Sequence, residues 1–321
     1  MNLWQNYLRP KTLSEAMDAF AHAPRPLAPI AGGTDLLLDL EQGRHSPVQT
    51  LIDVTEIREL LVLDIRDEYL FIGAGVPVNR VALDPLTARH AQALIEACNL
   101  IAGPQVRNVA TLGGNVAHAL PAADGTIALL ALDAQAEIAN FAQATVPGGE
   151  DVAESKIKTR RIPFKELFLG PGKSALKHGE ELLVGFYIPI QTLKVSETFR
   201  VSSCFKRIMR HQGVALPILN CAVWLEREKD IIKDIHIAVG PGGGTPFRAT
   251  EAENALRGQS YGEETFDRAL DALLAQAQFR TSARRASAEY RRHIVGGLFR
   301  DVLEIAWLRA ILDLWRNDER S

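Results

Sequence analysis

Two glycine-bearing segments carry residue types that could hold a phosphate. The first runs Ile30-Ala31-Gly32-Gly33-Thr34-Asp35-Leu36-Leu37. The apolar segment Leu27 to Ile30 feeds it, and a helical stretch from Leu36 to Leu40 leaves it. Paired glycines let the backbone bring several N–H groups to one point, and the helix start adds partial positive charge. Such a nest suits a pyrophosphate, with the Thr34 hydroxyl as a further donor. A tight strand–helix turn with no ligand fits the same residues. The second segment is Ala110-Thr111-Leu112-Gly113-Gly114-Asn115, followed by Pro121-Ala122-Ala123-Asp124. Its glycines also permit a close backbone approach, flanked by a hydroxyl and an amide. Asp124 could accept hydrogen bonds from ribose or ribityl hydroxyls, or cap the helix predicted over Thr126 to Leu132.

Other patterns fall away on their context. Gly170-Pro171-Gly172-Lys173-Ser174-Ala175 fits a dinucleotide fingerprint in form, but that site needs a strand before it and a helix after it. Here His178-Gly179 leads into a strand instead. Gly172-Lys173-Ser174 resembles the end of a P-loop, yet Leu167 stands at the first glycine position. Gly240 to Gly244 reads as a flexible turn. His118 has no nucleophile or orienting acid visible in the sequence, which leaves a structural or cofactor-proximal role. No H-E-x-x-H or G-x-S-x-G pattern occurs. Two phosphate-friendly turns without a catalytic constellation of side chains point to a bound cofactor that supplies the chemistry.

The elements that must position these turns follow from periodicity. Short apolar runs at Thr50 to Val54 and Tyr69 to Ala74 predict buried strands, and Arg89 to Ile101 carries a helical stripe stopped by Gly103-Pro104. A strand is expected around Ala136 to Ala139. Gln143 to Lys158 is polar and Gly-rich, a surface loop, and the basic cluster Lys156 to Arg161 reads as part of a solvated loop. Glu181 to Ile190, Thr198 to Ile208, Leu219 to Leu225 and Ile231 to Val239 predict strands. Thr250 to Leu256, Glu263 to Ala277 and Ser287 to about Leu314 predict helices. Strands followed by helices make the C-terminal part a separate α+β unit starting near residue 195.

The 321 residues are 47% hydrophobic and 23% charged, a globular composition with room for two or three domains. A net charge of -3 gives no basic excess for nucleic acid. Cys98, Cys204 and Cys221 lack C-x-x-C spacing, which argues against a disulfide framework or a cysteine-ligated cluster and favours three buried small side chains. No signal peptide and no apolar run of roughly 20 residues appears, so no membrane span and a cytoplasmic location are expected.

Taken together, Ile30 to Leu37 and Ile101 to Asp124 resemble the two flavin-binding signatures of the FAD-carrying medium subunit of molybdenum hydroxylases. That family includes carbon monoxide dehydrogenase, the FAD domain of xanthine dehydrogenase, and 4-hydroxybenzoyl-CoA reductase. The resemblance covers almost the whole chain, including a Lys-bearing strand at Phe205-Lys206. It implies an α+β fold: a two-subdomain FAD-binding unit of the vanillyl-alcohol-oxidase (PCMH) type, residues 1–57 and 58–194, and a CO dehydrogenase flavoprotein-like C-terminal domain, 195–321. It further implies that Ile30, Ala31, Gly32, Gly33, Thr34, Asp35, Leu36 and Leu37 wrap the pyrophosphate. Thr111, Gly113, Gly114 and Asn115 would do so from the second subdomain, Asp124 would bind a sugar or ribityl hydroxyl, and Ile101, Leu183 and Lys206 would make further FAD contacts.

The implied role is an electron relay. A large partner subunit would carry the molybdenum cofactor and a small one two [2Fe–2S] clusters, in a dimer of heterotrimers, while FAD on this chain meets an external acceptor or donor. The sequence departs from relatives at Leu120, where a polar residue is common before the proline. It also lacks the cysteine-rich insertion that carries an extra cluster in the 4-hydroxybenzoyl-CoA reductase branch. Two rival readings are a self-contained flavin oxidase of the vanillyl-alcohol-oxidase type and a cofactor-free scaffold subunit.

Overall fold

The structure, a computed structural model, describes residues 3–142, 156–190, 199–210, 216–283 and 285–311. The expected loop at 143–155, the expected boundary near 195, the strand start at 198 and the helix end at 312–314 lie outside these residues.

Near the N-terminus, Asn6–Leu8, Thr50–Asp53 and Leu27–Ile30 form a three-stranded parallel sheet with Thr50–Asp53 in the middle, buried along its whole length. Parallel neighbours need a crossover, and helix Leu36–Glu41 provides it. Residues 31–35 therefore sit at the carboxyl end of a parallel strand, where open sheets place their ligands. Helix Leu13–His22 buries Leu13, Ala16, Met17 and Phe20, one stripe at helical spacing. Thr12 caps it by accepting from the Glu15 N–H at 3.2 Å.

The second sheet has the order Leu63–Arg66, Tyr69–Gly73, Glu181–Pro189, Gln135–Ala142, Lys156–Pro163. Its central strand comes last in sequence and is buried on every residue from Glu181 to Ile188. A bulge between Leu183 and Gly185 reverses the alternation. Leu182 and Val184 join the core beneath helix Leu13–His22, whereas Leu183, Phe186 and Ile188 join the core shared with helices Gln92–Leu100 and Asp124–Ala131. Two expectations change here. Lys156–Pro163 is an edge strand rather than a loop, although most of its basic side chains remain exposed. The predicted helix from Arg89 to Ile101 is broken at Ala91 (φ -144, ψ 52), between Pro85–His90 and Gln92–Leu100.

The third sheet is antiparallel, Phe199–Ile208, Leu219–Glu228, Ile231–Gly240 and Phe247–Arg248 in order. Period-2 alternation splits its faces. Cys204, Cys221, Val223 and Ile237 pack under helices Thr250–Leu256, Glu263–Gln276 and Ala288–Ile311, while Phe205, Ala222 and Ala238 turn to the core of the second sheet's helices. The two units thus share buried surface.

Candidate functional site

The first glycine segment presents unpaired donors. Among the described residues no acceptor is found for the N–H groups of Gly32, Gly33, Thr34 and Asp35. Gly33 has φ +67, the left-handed conformation that makes successive N–H groups converge. Gly32 serves a different need. A Cβ there would lie 2.1 Å from the Val109 carbonyl oxygen, so only glycine lets this loop touch the segment before the second motif.

The second glycine segment is not a turn. Gly113 and Gly114 lie in the first turn of helix Leu112–Ala117, with Thr111 as N-cap. Its amides are already used. Leu112 N–H donates to Val76 (3.1 Å), Gly113 N–H to Ala74 (2.9 Å) and Asn115 N–H to Thr111 (3.0 Å), all at carbonyl oxygens. Gly114 N–H donates to Thr111 Oγ1 at 3.0 Å. Asn115 Oδ1 is buried without a donor, an acceptor that a ligand hydroxyl would satisfy.

A cleft of about 650 Å³ joins the two segments. Its walls include Ile30, Ala31, Gly32, Gly33, Thr34, Asp35 and Leu36 from the first, and Ile101, Thr111, Gly114, Asn115 and Asp124 from the second. Leu37 and Gly113 are not on the walls. Leu37 would touch a Cβ on Gly33, and Gly113 allows backbone approach to Ala74. Leu183 belongs to the hydrophobic core, and Lys206 turns away to pair with Asp301 at 3.3 Å. The cause is alternation along Phe199–Ile208. Lys206 points to the C-terminal helices and its neighbour Arg207 to the cleft, where sequence reading had placed nothing. Arg285 and the facing rings of His45 and His178 also line the cleft unforeseen.

Asp124 does not cap its helix, since that position is Ala123. Its carboxylate instead receives Arg207 Nη1 on Oδ2 and Asn220 Nδ2 on Oδ1, the latter at 2.8 Å. Burial pushes this carboxyl up against the opposing pull of Arg207 and Asn220. His118 Nδ1 stands 3.6 Å from Asp35 Oδ2, so the first segment does supply an acid to this histidine. Their contact holds the Asp35 carboxyl low and lifts the His118 imidazole, in both cases against burial. Burial raises all three cysteine thiols, Cys204 to about 12. Among the described residues no group of His, Cys, Asp and Glu side chains is placed to hold a metal ion. No helix among them is long and apolar enough to cross a membrane.

The convergent amides, the orphaned Asn115 oxygen and the wall kept open by Gly114 fit a long dinucleotide cofactor. Comparison with known proteins agrees. Residues 3–191 match the family described as FAD binding domain in molybdopterin dehydrogenase, and residues 203–306 match the CO dehydrogenase flavoprotein C-terminal domain. The xanthine dehydrogenase FAD-binding subunit of Escherichia coli O157:H7 is 30% identical over 94% of this chain and 95% of its own length. The carbon monoxide dehydrogenase medium chain of Hydrogenophaga pseudoflava is 26% identical over 94% of this chain and 97% of its own. A solved structure of carbon monoxide dehydrogenase from that organism, lacking the Mo-pyranopterin moiety of the molybdenum cofactor, superimposes with a TM-score of 0.82 at 26% identity, covering 95% of this chain and 98% of that one. The chain belongs to the family of FAD-binding subunits of molybdenum hydroxylases, the xanthine dehydrogenase and carbon monoxide dehydrogenase family.

Proposed function

We propose that this chain holds FAD as the electron-transfer subunit of a multi-subunit molybdenum hydroxylase. It exchanges electrons between the [2Fe–2S] clusters of a small partner and an external acceptor or donor, while a large partner carries the molybdenum cofactor. The observation that carries this reading is the cleft, where among the described residues the backbone donors of Gly32 to Asp35, without a protein acceptor, stand on one wall.

FAD, when bound, supplies the electron-carrying chemistry. The chain's own residues bind and orient it. Gly32 to Asp35 direct N–H groups at the pyrophosphate, and Thr34 adds a hydroxyl. Thr111 and Asn115 offer a hydroxyl and a carboxamide to sugar hydroxyls. Ile30, Ala31, Leu36 and Ile101 exclude water, while Leu37 and Gly113 support the two segments from behind. Three units, 1–57, 58–194 and 195–321, each built around one of the three larger sheets, and a cytoplasmic dimer of heterotrimers complete the reading.

The test is cofactor content. The purified chain should be yellow and release about one FAD on denaturation, as one site built from the two motifs implies. A chain purified colourless that fails to take up added FAD would favour the scaffold reading instead.

A further inference from the structure

The cleft contains a charged group for which simple cofactor retention gives no reason. The Arg207 side chain is only 6% exposed, yet it is part of the cleft wall. A guanidinium cannot shed its proton in a protein, so its burial costs several kcal/mol unless it is paired. Asp124, 4% exposed, pairs with it, and fully buried Asn220 holds the other Asp124 oxygen and also donates to the Ala122 carbonyl at 3.1 Å. The trio is not closed on itself. Arg207 Nε is buried without an acceptor and Asn220 Oδ1 without a donor. Apolar side chains of similar volume would fill this position at least as stably, so packing alone does not explain the trio. Each Asp124 oxygen takes a protein donor, so this carboxylate holds Arg207 in place whether or not it also accepts from a sugar hydroxyl.

We propose that Arg207 is the cofactor-facing cation of the cleft, positioned by Asp124 and Asn220, and that it raises the electron affinity of the bound flavin. The proposal rests on the FAD reading above. An isoalloxazine that takes up electrons gains negative charge. A fixed cation acts on that charge most strongly where water is excluded, and the Arg207 side chain is itself 6% exposed in a cleft wall that also includes buried Ile101 and Ala122. Asp124 opposes the same field, so the two partners carry opposite signs of effect.

The test is a redox titration of the full chain loaded with FAD, with FAD affinity measured alongside. At a fixed solution potential, Arg207→Gln should lower the ratio of reduced to oxidised flavin about tenfold or more, the scale of one partly desolvated charge. Arg207→Lys, which keeps the charge, should stay close to the parent. Asp124→Asn, which keeps the shape and removes the anion, should raise the ratio. A purely structural trio would weaken FAD retention without shifts of opposite sign. Unchanged ratios, or shifts of one sign in Arg207→Gln and Asp124→Asn, overturn the proposal. Where Arg207→Gln does not fold, Asp124→Asn decides alone, a higher ratio supporting the proposal and an equal or lower one overturning it. A parent chain that binds no FAD would instead defeat the underlying reading.

Discussion

His118 Nδ1 faces Asp35 Oδ2 at 3.6 Å, an ion pair between the end of the second motif helix and the start of the first. It joins two residues of the cleft wall and couples the two glycine segments through charge as well as through the backbone contact of Gly32 with Val109. The His118 value is raised above the ordinary 6.5, so its stabilisation is complete below 6.5 and is lost as pH rises through the higher folded value. The Asp35 value lies below the ordinary 3.8, so its share is present above 3.8 and is lost as pH falls through the lower folded value. Both side chains are partly exposed, which limits the pair to about 0.2–1 kcal/mol. Thermal unfolding of the chain from pH 5 to 9 should show this small loss on the alkaline side. His118→Gln should remove that component of the pH dependence, and an identical profile would show that the pair contributes nothing.

The glycines make separable predictions. Gly32→Ala forces a Cβ against the Val109 carbonyl, where the backbone must move, and should destabilise the chain by about 1–3 kcal/mol. A Cβ on Gly114 meets only Thr111 Oγ1, at 3.2 Å. Gly114→Ala should therefore change the stability of the cofactor-free chain by no more than about 1 kcal/mol, the helix preference of alanine being set against a small shift of the capping Thr111 Oγ1. FAD affinity should nevertheless fall, because the added methyl enters the cleft wall. Urea unfolding and FAD titration of both variants decide this. Equal behaviour of the two would mean that the glycines share one role.

Glu96 controls how the strand bearing Arg207 is held. Its Oε2 accepts the Phe205 N–H at 2.7 Å, and its Oε1 receives Arg309 Nη2 at 2.5 Å. Arg309 Nη1 donates in turn to the Ser203 carbonyl at 2.7 Å. Glu96→Ala strips charged partners from a largely buried junction and should lower stability by about 1.5–3 kcal/mol. FAD affinity should fall with it, because Arg207 lies two residues beyond Phe205. Urea unfolding followed by FAD titration under folding conditions measures the two effects. A stable variant with parental FAD affinity would show that this junction does not support the cleft.

Much of this arrangement was legible in the residues, and what escaped did so for physical reasons. The pattern Gly32-Gly33-Thr34-Asp35 between a strand and a helix already implied free amides, because local conformation decides them. The second pair could not be read that way. Whether Gly113 and Gly114 form a turn or open a helix depends on Thr111 capping Gly114 and on Ala74 lying near enough to accept from Gly113, both matters of tertiary approach. The resemblance names Lys206 and is silent on Arg207, and which of two strand neighbours faces the cleft cannot be assigned until the packing partners of the strand are known. Cys204 and Phe205, on opposite faces, would have given that parity had the two cores been distinguishable in sequence. Asp124 was poised between helix cap and hydroxyl acceptor. Its actual partners, Arg207 and Asn220, come from a distant sheet that no local pattern reveals.

Among the described residues the cleft offers donors for a phosphate and a buried cation, and the histidine–acid contact of its two motifs, His118 with Asp35, adjoins the amides of the first motif. Donors and a cation of this kind suit the holding of a redox cofactor, and the expected outcome is that activation of an organic substrate needs the partners. Anaerobic absorbance separates these abilities. In the isolated chain a chemical reductant should bleach the flavin band, and an organic substrate of the assembled enzyme should leave it unchanged. With the large and small partners restored, the same substrate should bleach the flavin and the [2Fe–2S] bands together. Bleaching of the isolated chain by the organic substrate would overturn the relay and establish a self-contained flavin oxidase or dehydrogenase in its place.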